Sequence, residues 1–288
     1  MPGLAWREPV AELARKSEEA LRAYYSNRLV AITGGSSGIG FALAQRAVAL
    51  GARVVLIADG RERLEAAVLE LGGSSRGVSS IVCDVGHRDA VRSAVASLRH
   101  EHGVPDILIN NAGFAVYRTF EQSNFDEIDE LVRVNFAGHM LFTKEVLDGM
   151  IERGSGHIVN IASVAGLFTL TPNAVYGASK SGMVAWTRAL RVELSRYGIG
   201  VSVVCPGRVE TAFFDHDSFR QRKSRRETRL TIGLPTVVET VLDAARRNRE
   251  IVVVPRYWGW FARGLALVPY GLRAHHALLR RRVDDLYN

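Results

Sequence analysis

Cysteine is scarce in this chain, and long apolar runs are missing. Cys83 and Cys205 are the two cysteines, and each stands at the end of a short apolar run. Two such residues suit core positions better than a disulfide framework, which favours a reducing compartment. No apolar run is long enough to predict a transmembrane helix. Residues 1–27 lack the apolar core and cleavage site of a signal peptide, so none is expected.

Charge is moderate overall but unevenly placed. The 288 residues are 47% apolar and 23% charged, an ordinary mixture for a soluble globular domain with a sizeable core. Positive charge concentrates at residues 220–229, with six basic residues and one acid, and at 256–288, with six arginines and two aspartates. Such clusters suit phosphates, acidic lipids or a solvated face. No nucleic-acid-binding motif accompanies them, so DNA and RNA are not expected partners.

Apolar runs of strand length alternate with helical patterns along the chain. The runs are Arg28–Thr33, Arg53–Ala58, Ser79–Cys83, Asp106–Asn110, His157–Ile161, Gly200–Cys205 and Ile251–Val254. The helical patterns are Val10–Tyr25, Ile39–Leu50, Arg61–Leu71, Arg88–His102, Phe125–Arg153, Ala174–Tyr197 and Thr236–Asn248. Such alternation predicts a parallel sheet, because each parallel pairing needs a crossover connection. Right-handed crossovers then predict a doubly wound sheet with a nucleotide crevice at the carboxyl ends of the strands.

These patterns divide the chain into three parts. Residues 28–254 are predicted to form one α/β domain of the Rossmann type that binds a dinucleotide and carries the catalytic residues. Residues 1–27 form a helical lead-in, and residues 255–288 form an aromatic and basic tail.

A glycine-rich segment, T-G-G-S-S-G-I-G at 33–40, stands between the first strand and the first helix. Glycines allow a tight turn and a close approach of a pyrophosphate, and the helix that follows offers free N–H groups. In this context the segment predicts a dinucleotide site, with a purely structural turn as the alternative. The expected contacts are Gly34, Ser36, Ser37, Gly38, Ile39 and Gly40.

Two acidic residues follow the next two strands. Asp59 can accept hydrogen bonds from the adenosine ribose hydroxyls and would repel a 2′-phosphate, which favours NAD. Arg61 could serve NADP instead, and Asp59 could simply cap the helix that begins near Arg61. Asp84 is placed to receive the adenine amino group.

Tyr176 and Lys180 stand four residues apart and so share one helical face. A neighbouring cation favours the phenolate and is expected to lower the pKa of the tyrosine from its usual value of ~10. Such a pair can give or take a proton near neutral pH. The spacing alone is a weak signal, and a solvated helix face is the alternative.

Taken together, these motifs give the chain a clear resemblance to the short-chain dehydrogenase/reductase family. The matching segments are T-G-G-S-S-G-I-G at 33–40, C-D-V at 83–85, N-N-A-G at 110–113, V-N-F-A-G around Asn135, N-I-A-S ending at Ser163, Y-G-A-S-K at 176–180 and P-G-R-V-E-T at 206–211. The resemblance covers residues 28–254. It implies a seven-stranded parallel sheet flanked by helices, and an oxidoreductase that interconverts a secondary alcohol and a ketone with NAD or NADP.

The resemblance also implies roles for four residues. Tyr176 would be the acid or base, and Lys180 would lower the tyrosine pKa and bind the nicotinamide ribose. Ser163 would hold and polarise the carbonyl oxygen, so that Ser163 and Tyr176 contact the substrate. Asn135 would hold a helix and a water for proton relay. The alternatives are a turn cap for Ser163 and local backbone bonding for Asn135. No metal is expected.

The remaining cofactor contacts come from loops after the strands. The resemblance implies Val85, Asn111, Ala112, Gly113, Val209 and Thr211. Asn111 is expected on the adenosine side, while Val209 and Thr211 should meet the nicotinamide carboxamide. Asn110 and Gly113 are expected to stabilise the central sheet.

The sequence after Thr211 departs from the pattern of reductases that act on acyl carrier protein. It resembles the branch of the family that handles lipid-like or retinoid-like substrates and is often membrane-associated, which predicts a role in lipid metabolism. A moderately large apolar substrate is therefore expected. Residues 212–230, with Phe213, Phe214, Phe219 and the basic run at 220–229, are expected to form a flap over it.

The tail and the quaternary structure leave alternatives open. The run from Tyr257 to Phe261, with Arg280–Arg282, suits an anionic membrane surface, so membrane contact through 256–288 is expected. Packing over the domain or against a second subunit is the alternative. A cytoplasmic homo-oligomer, peripheral to a membrane if the tail binds one, is expected to assemble through the helices at 125–153 and 174–197.

Other functions on the same fold also stay open. A non-catalytic sensor of NAD(H) and a membrane-surface interaction protein are the main rivals. Intact Asn135, Ser163, Tyr176 and Lys180 argue against the first of them. Epimerisation or dehydration would keep the fold and change the reaction.

Overall fold

A computed structural model of the chain describes residues 7–209, 211, 231–267 and 275–280. Its seven strands form one parallel sheet in the order β3-β2-β1-β4-β5-β6-β7. The strands are β1 Leu29–Thr33, β2 Arg53–Ala58, β3 Val78–Val82, β4 Ile107–Asn110, β5 Gly156–Ile161, β6 Ile199–Pro206 and β7 Ile251–Val254. The strand order reverses between β1 and β4, which opens a crevice at the carboxyl ends of the central strands.

Helices connect and cover the strands. They are α1 Arg7–Tyr25, α2 Gly38–Ala49, α3 Arg61–Glu70, α4 Arg88–Glu101, α5 Phe125–Val132, α6 Gly138–Arg153, α7 Ala174–Leu194, α8 Leu234–Arg246 and α9 Arg256–Leu267. A π-helical turn, Arg133–Ala137, joins α5 to α6 where the sequence predicts one unbroken helix. The predicted fold class, a single doubly wound α/β domain with a seven-stranded parallel sheet, is confirmed.

Strand composition explains why the sheet is sandwiched between helices. Every residue of β1 and of β6 is buried, and both strands are dominated by β-branched residues. On one face, Leu43 of α2 and Val241 of α8 belong to the apolar cluster that covers the sheet. On the other face, Leu98 of α4 and Phe142 of α6 belong to a second cluster. The two apolar layers hold the sheet rigid and so fix the positions of its strand ends.

The lead-in helix α1 joins the first of these layers. Its Leu21 and Tyr25 are buried in the same cluster as α2 and α8. The Tyr25 hydroxyl donates a hydrogen bond to the Leu242 carbonyl oxygen at 3.1 Å. The C-terminal half of α1 therefore closes one side of the core.

Candidate active site

A cleft of about 710 Å³ lies at the carboxyl ends of the strands. Nearly all the residues that the sequence predicts for the cofactor and the catalytic centre line it: Gly34, Ser36, Ser37, Gly38, Ile39, Asp59, Asp84, Val85, Asn111, Ala112, Gly113, Ser163, Tyr176, Lys180, Val209 and Thr211. Gly40 and Asn135 are the exceptions. Gly40 packs behind the lining against Gly34, and Asn135 supports the lining through hydrogen bonds to Phe114.

The glycine loop is held by close backbone contacts. A Cβ on Gly34 would lie 2.8 Å from the Ala112 Cα, and the residue has a positive φ of 63°. A Cβ on Gly40 would overlap the Gly34 carbonyl oxygen. The Asn111 amide nitrogen donates to the Thr33 and Gly34 carbonyl oxygens, each at 3.1 Å. The side chain of Asn111, which was expected to contact the adenosine, therefore holds the glycine loop in place.

This loop fits the pyrophosphate of a dinucleotide. The loop leads into the N-terminus of α2, a helix of 12 residues that has no acidic residue in its first turn. Its unpaired N–H groups and positive dipole end favour an anion. Because Gly34 and Gly38 line the cleft without side chains, phosphate oxygens can approach the backbone closely.

Of the residues expected near the adenosine ribose, Asp59 lines the cleft and Arg61 does not. Arg63 lines the cleft, and its guanidinium Nη2 lies 3.6 Å from Asp59 Oδ1. Arg61, the predicted alternative for NADP, instead faces Glu65 at 4.0 Å. The reason is helical spacing, since positions four apart share a face and positions two apart do not. Gly60 takes the N-cap position of α3, so Asp59 is not its cap.

Asp84 marks the adenine side of the cleft. Its Oδ1 accepts a hydrogen bond from the Gly86 N–H at 2.8 Å, and its Oδ2 lies 3.3 Å from His87 Nε2. These contacts orient the carboxylate at the end of β3 and leave it partly exposed to the cleft.

Asn135 sits in the π-helical turn and is fully buried. Its Oδ1 accepts a hydrogen bond from the Phe114 N–H at 2.9 Å, and its Nδ2 donates to the Phe114 carbonyl oxygen at 2.7 Å. The side chain therefore bonds across to the loop after β4, and not to its own helix. A π-helical turn widens the helix by one residue, and such turns occur often at functional sites.

His139, one turn further on, is a positioning residue that the sequence analysis missed. Its Nε2 lies 2.7 Å from the Ala112 carbonyl oxygen. A carbonyl only accepts, so Nε2 carries the hydrogen. Burial lowers the pKa of His139 to about 3, with the nearby Lys180 charge acting in the same direction. The i, i+4 spacing from Asn135 was the available signal, because both side chains then reach the same loop.

Lys180 and Tyr176 both lie on α7, but their ionisation differs from the sequence-based prediction. The Lys180 Nζ is buried, donates to the Ile161 carbonyl oxygen at 3.0 Å, and lies 5.9 Å from the centre of the Tyr176 ring. Burial raises the pKa of Tyr176 to about 12 and lowers that of Lys180 to about 8. The direction of the Tyr176 shift is opposite to the expected one, because burial is its main cause and the hydrogen bond with Ser163 opposes it only in part.

Ser163 caps a turn and also bonds to Tyr176. Its Oγ accepts a hydrogen bond from the Ala165 N–H at 3.1 Å, which caps a short 3-10 turn after β5. It also shares a hydrogen bond with Tyr176 that opposes the upward shift of the tyrosine pKa. Serine, tyrosine and lysine therefore meet on one wall of the cleft.

The other end of the cleft has an aromatic wall. Phe168 stacks on Trp258 of α9 with ring centres 5.2 Å apart and a 29° angle between the planes. Phe261 and His275 meet the Phe168 ring edge-on. Phe168, Leu170 and Trp258 line the cleft. The aromatic run in the tail was the signal for this wall, but the sequence does not say that α9 folds back over the domain.

Some predicted features fall outside the described residues. The predicted flap, with Phe213, Phe214, Phe219 and residues 220–229, lies outside, as do two of the three tail arginines at 280–282. Within the described ranges, no group of three or more histidine, cysteine or acidic side chains could hold a metal ion. No helix in that part of the chain has both the length and the apolar character needed to cross a membrane.

The sequence profile of the short chain dehydrogenase family matches residues 28–222. The chain belongs to the short-chain dehydrogenase family. It is an oxidoreductase of this family, as the resemblance implied.

Two curated relatives illustrate its place among short-chain dehydrogenases. A protein from Streptomyces violaceoruber, provisionally named granaticin polyketide synthase ketoacyl reductase 1, is 44% identical over 186 residues, which cover 62% of this chain and 67% of the relative. Dehydrogenase/reductase SDR family member 7B from Danio rerio is 36% identical over 191 residues, which cover 64% and 62%. The aligned region thus spans about two thirds of each relative.

Solved structures with the same fold contain either nicotinamide cofactor. A variant of actinorhodin polyketide ketoreductase with NADPH has a TM-score of 0.72 and 33% identity, and the match covers 79% of this chain and 95% of that one. A short-chain dehydrogenase from Burkholderia phymatum in complex with NAD has a TM-score of 0.75 over 83% and 92% of the chains, but at 24% identity it shows the fold alone.

Proposed function

We propose that this short-chain dehydrogenase interconverts a secondary alcohol and a ketone, with NAD(H) or NADP(H), on a moderately large apolar substrate. The observation that carries the proposal is the placement of Ser163, Tyr176 and Lys180 on one wall of a single cleft that also contains the glycine loop. When bound, the nicotinamide would supply or accept the hydride. Gly34, Ser36, Ser37, Gly38 and Ile39 would hold its pyrophosphate, and Val209 and Thr211 its carboxamide.

Each residue around the reacting oxygen would have a separate role. The Tyr176 hydroxyl would protonate the developing alkoxide during reduction, or take the hydroxyl proton during oxidation. Ser163 would hydrogen-bond the same oxygen and polarise the carbonyl. Lys180 would bind the ribose hydroxyls, and Asn135 and His139 would hold the loop at Ala112–Phe114 against the cofactor.

Burial raises the pKa of the Tyr176 phenol to about 12, which keeps the phenol protonated at neutral pH. The protonated phenol is the form that would donate a proton in ketone reduction.

Two substrate types remain as proposals. The apolar wall of Phe168, Leu170 and Trp258 suits the lipid-like or retinoid-like substrates of the membrane-associated branch. It also suits a ketoacyl chain, which the names of the Streptomyces relative and of the actinorhodin enzyme favour. Both substrate types place an apolar chain against this wall.

Location and assembly belong to the same proposal. Two free and buried cysteines suit the cytoplasm. Contact with a membrane surface is supported by the exposed aromatic and basic residues of α9. A homo-oligomer built on α5, α6 and α7 is supported by apolar side chains that these helices leave exposed, among them Phe125, Met140 and Val192.

Turnover of a ketone panel tests the proposal directly. We expect consumption of NADH or NADPH with ketones that carry a large apolar group, followed as loss of absorbance by the reduced cofactor. Tyr176→Phe should lower kcat by about a hundredfold or more while cofactor binding stays unchanged, because only the acid is removed. Tight cofactor binding without turnover of any ketone would favour a non-catalytic NAD(H) sensor instead.

A further inference from the structure

Helix α9 has two faces of opposite character. On the inner face, Trp258, Ala262 and Leu265 belong to the same apolar cluster as Phe168, and Trp258 also lines the cleft. The spacing of these positions follows the helical period, so they form one continuous stripe. The helix is thus fixed to the catalytic domain through this stripe, and its other face is exposed in the part of the chain that the structure describes.

The outer face exposes large aromatic residues beside arginines. The side chain of Trp260 is 67% exposed and that of Tyr257 is 47% exposed. The guanidinium carbon of Arg263 lies 5.8 Å from the centre of the Trp260 ring, and Arg256 is exposed at the start of the helix. Exposed aromatic rings mark contact surfaces, and rings next to basic side chains suit the headgroup region of a bilayer.

Charge identifies the kind of partner. The charged residues of α9 are Arg256 and Arg263, and the helix contains no aspartate or glutamate. A two-fold contact between copies of this face would set arginines against arginines, which repel. An anionic lipid surface complements the same charges and attracts each of them. The surface therefore fits an acidic bilayer better than a second copy of the chain.

Dimensions determine how the helix would lie. A helix of 12 residues is about 18 Å long, shorter than the ~30 Å apolar core of a bilayer. It can rest in the plane of the interface with one face buried. Trp258 and Trp260 point to opposite sides of the helix, so lipid contact through Trp260 would bring the substrate end of the cleft within about one helix diameter, ~10 Å, of the bilayer.

We propose that the outer face of α9 seats on an anionic phospholipid bilayer and that the cleft takes its apolar substrate from that bilayer. The second half rests on the proposed function, because it needs an apolar ketone as the substrate. The first half is independent of it, since Tyr257, Trp260, Arg256 and Arg263 are not part of the catalytic machinery.

Vesicle sedimentation tests the first half. The full chain should pellet with vesicles of phosphatidylcholine and phosphatidylserine, much less with phosphatidylcholine alone, and less again at high salt. Arg263→Gln should weaken binding about fivefold, and Trp260→Ser should weaken it further. Leu69→Ser, which removes an even more exposed apolar side chain from α3, should bind as the unaltered chain does. Circular dichroism melting checks that each variant is folded.

Several outcomes would overturn the proposal. Equal pelleting of Trp260→Ser and the unaltered chain would remove the role of this face, and so would the absence of any binding to acidic vesicles. If Trp260→Ser shifts the elution volume in size-exclusion chromatography towards a smaller species, the face is an interface between copies and the membrane assignment is wrong.

A substrate comparison tests the second half. Trp260→Ser should slow reduction of a long-chain ketone dissolved in acidic vesicles by about the same factor as it weakens vesicle binding, and leave reduction of a short water-soluble ketone unchanged. If Trp260→Ser slowed the reduction of both ketones, the proposal would be contradicted. If no ketone is reduced although vesicles still bind, the proposed function fails and the membrane surface stands.

Discussion

Two side chains at the adenosine end, Asp59 and Arg63, carry our prediction about cofactor preference. They are exposed and 3.6 Å apart at the edge of the cleft. Asp59→Asn should lower the ratio of kcat/KM for NADH to that for NADPH by about fivefold to tenfold, because a carboxylate no longer repels the 2′-phosphate. Arg63→Ala should weaken the use of NADPH and leave that of NADH nearly unchanged.

Arg61→Ala is the matched control for this pair, since Arg61 faces Glu65 and not the cleft. Steady-state kinetics with both cofactors on one ketone measure all three variants. A large shift in preference on removal of Arg61, with none on removal of Arg63, would contradict the assignment of the two arginines.

Buried histidines predict that the fold weakens in mild acid. Burial is the main cause that lowers the pKa of His139 to about 3 and of His157 to about 4, whereas an unfolded histidine titrates near ~6.5. Between those values the unfolded chain binds more protons than the folded chain, so the stability present above pH ~6.5 is lost as the pH falls. Each histidine should remove up to about 1.4 kcal/mol per pH unit within its window.

Urea unfolding at about pH 7 and about pH 5 measures this dependence, because few carboxylates titrate in between. In His157→Gln the free energy of unfolding should be lower at neutral pH, since His157 is buried against Ser202 with Nε2 and Oγ 2.9 Å apart. The free energy of unfolding of His157→Gln should also change less between the two pH values than that of the unaltered chain. An equal dependence in both proteins would show that His157 is not the titrating group.

Among the helices, α9 carries a prediction about substrate size. Trp258→Ala removes the indole that stacks on Phe168 and should lower kcat/KM for a large apolar ketone by about tenfold, through lost apolar contact. KM for the cofactor should change much less, because the residues expected to hold its pyrophosphate belong to the glycine loop and not to α9. Trp260→Ala, on the outer face of the same helix, is the control when both variants are assayed without vesicles. If Trp258→Ala changed KM for the cofactor as much as KM for the substrate, the assignment of Trp258 to substrate binding would be contradicted.

Most helices and strands could be predicted because their signals are local. The apolar run at 53–58 coincides with β2, and the run predicted at Ser79–Cys83 lies one residue from β3. The π-helical turn at Arg133–Ala137 could not be predicted, because its apolar spacing reads as ordinary helix. The folding back of α9 depends on long-range contacts to Phe168, which periodicity does not record.

In the candidate site, the sequence predicts which side chains lie together but not how they ionise. Motif spacing is sufficient to bring Ser163, Tyr176 and Lys180 together in one cleft. It does not reveal how deeply Tyr176 is buried, and burial is the main cause that raises the pKa of this tyrosine instead of lowering it. Ionisation depends on burial and on hydrogen bonds made in three dimensions.

For the molecule as a whole, the lead-in helix should matter for stability. Leu21 and Tyr25 of α1 are buried against the main core, and each is worth roughly 1.5–3 kcal/mol of apolar burial. Removing residues 1–27 should therefore lower the free energy of unfolding by about 3–6 kcal/mol. Tyr25→Phe removes only the hydrogen bond to the Leu242 carbonyl and should cost about 1 kcal/mol. Urea unfolding of both proteins tests this, and a fully stable truncated chain would contradict it.

The position of Trp258 on a terminal helix has a consequence for engineering. The pyrophosphate loop comes from the first quarter of the chain, whereas one side of the aromatic wall comes from its last segment, directly after β7. A chimera that keeps residues up to β7 and takes its final helix from another member of the family should exchange substrate range while retaining the same coenzyme preference.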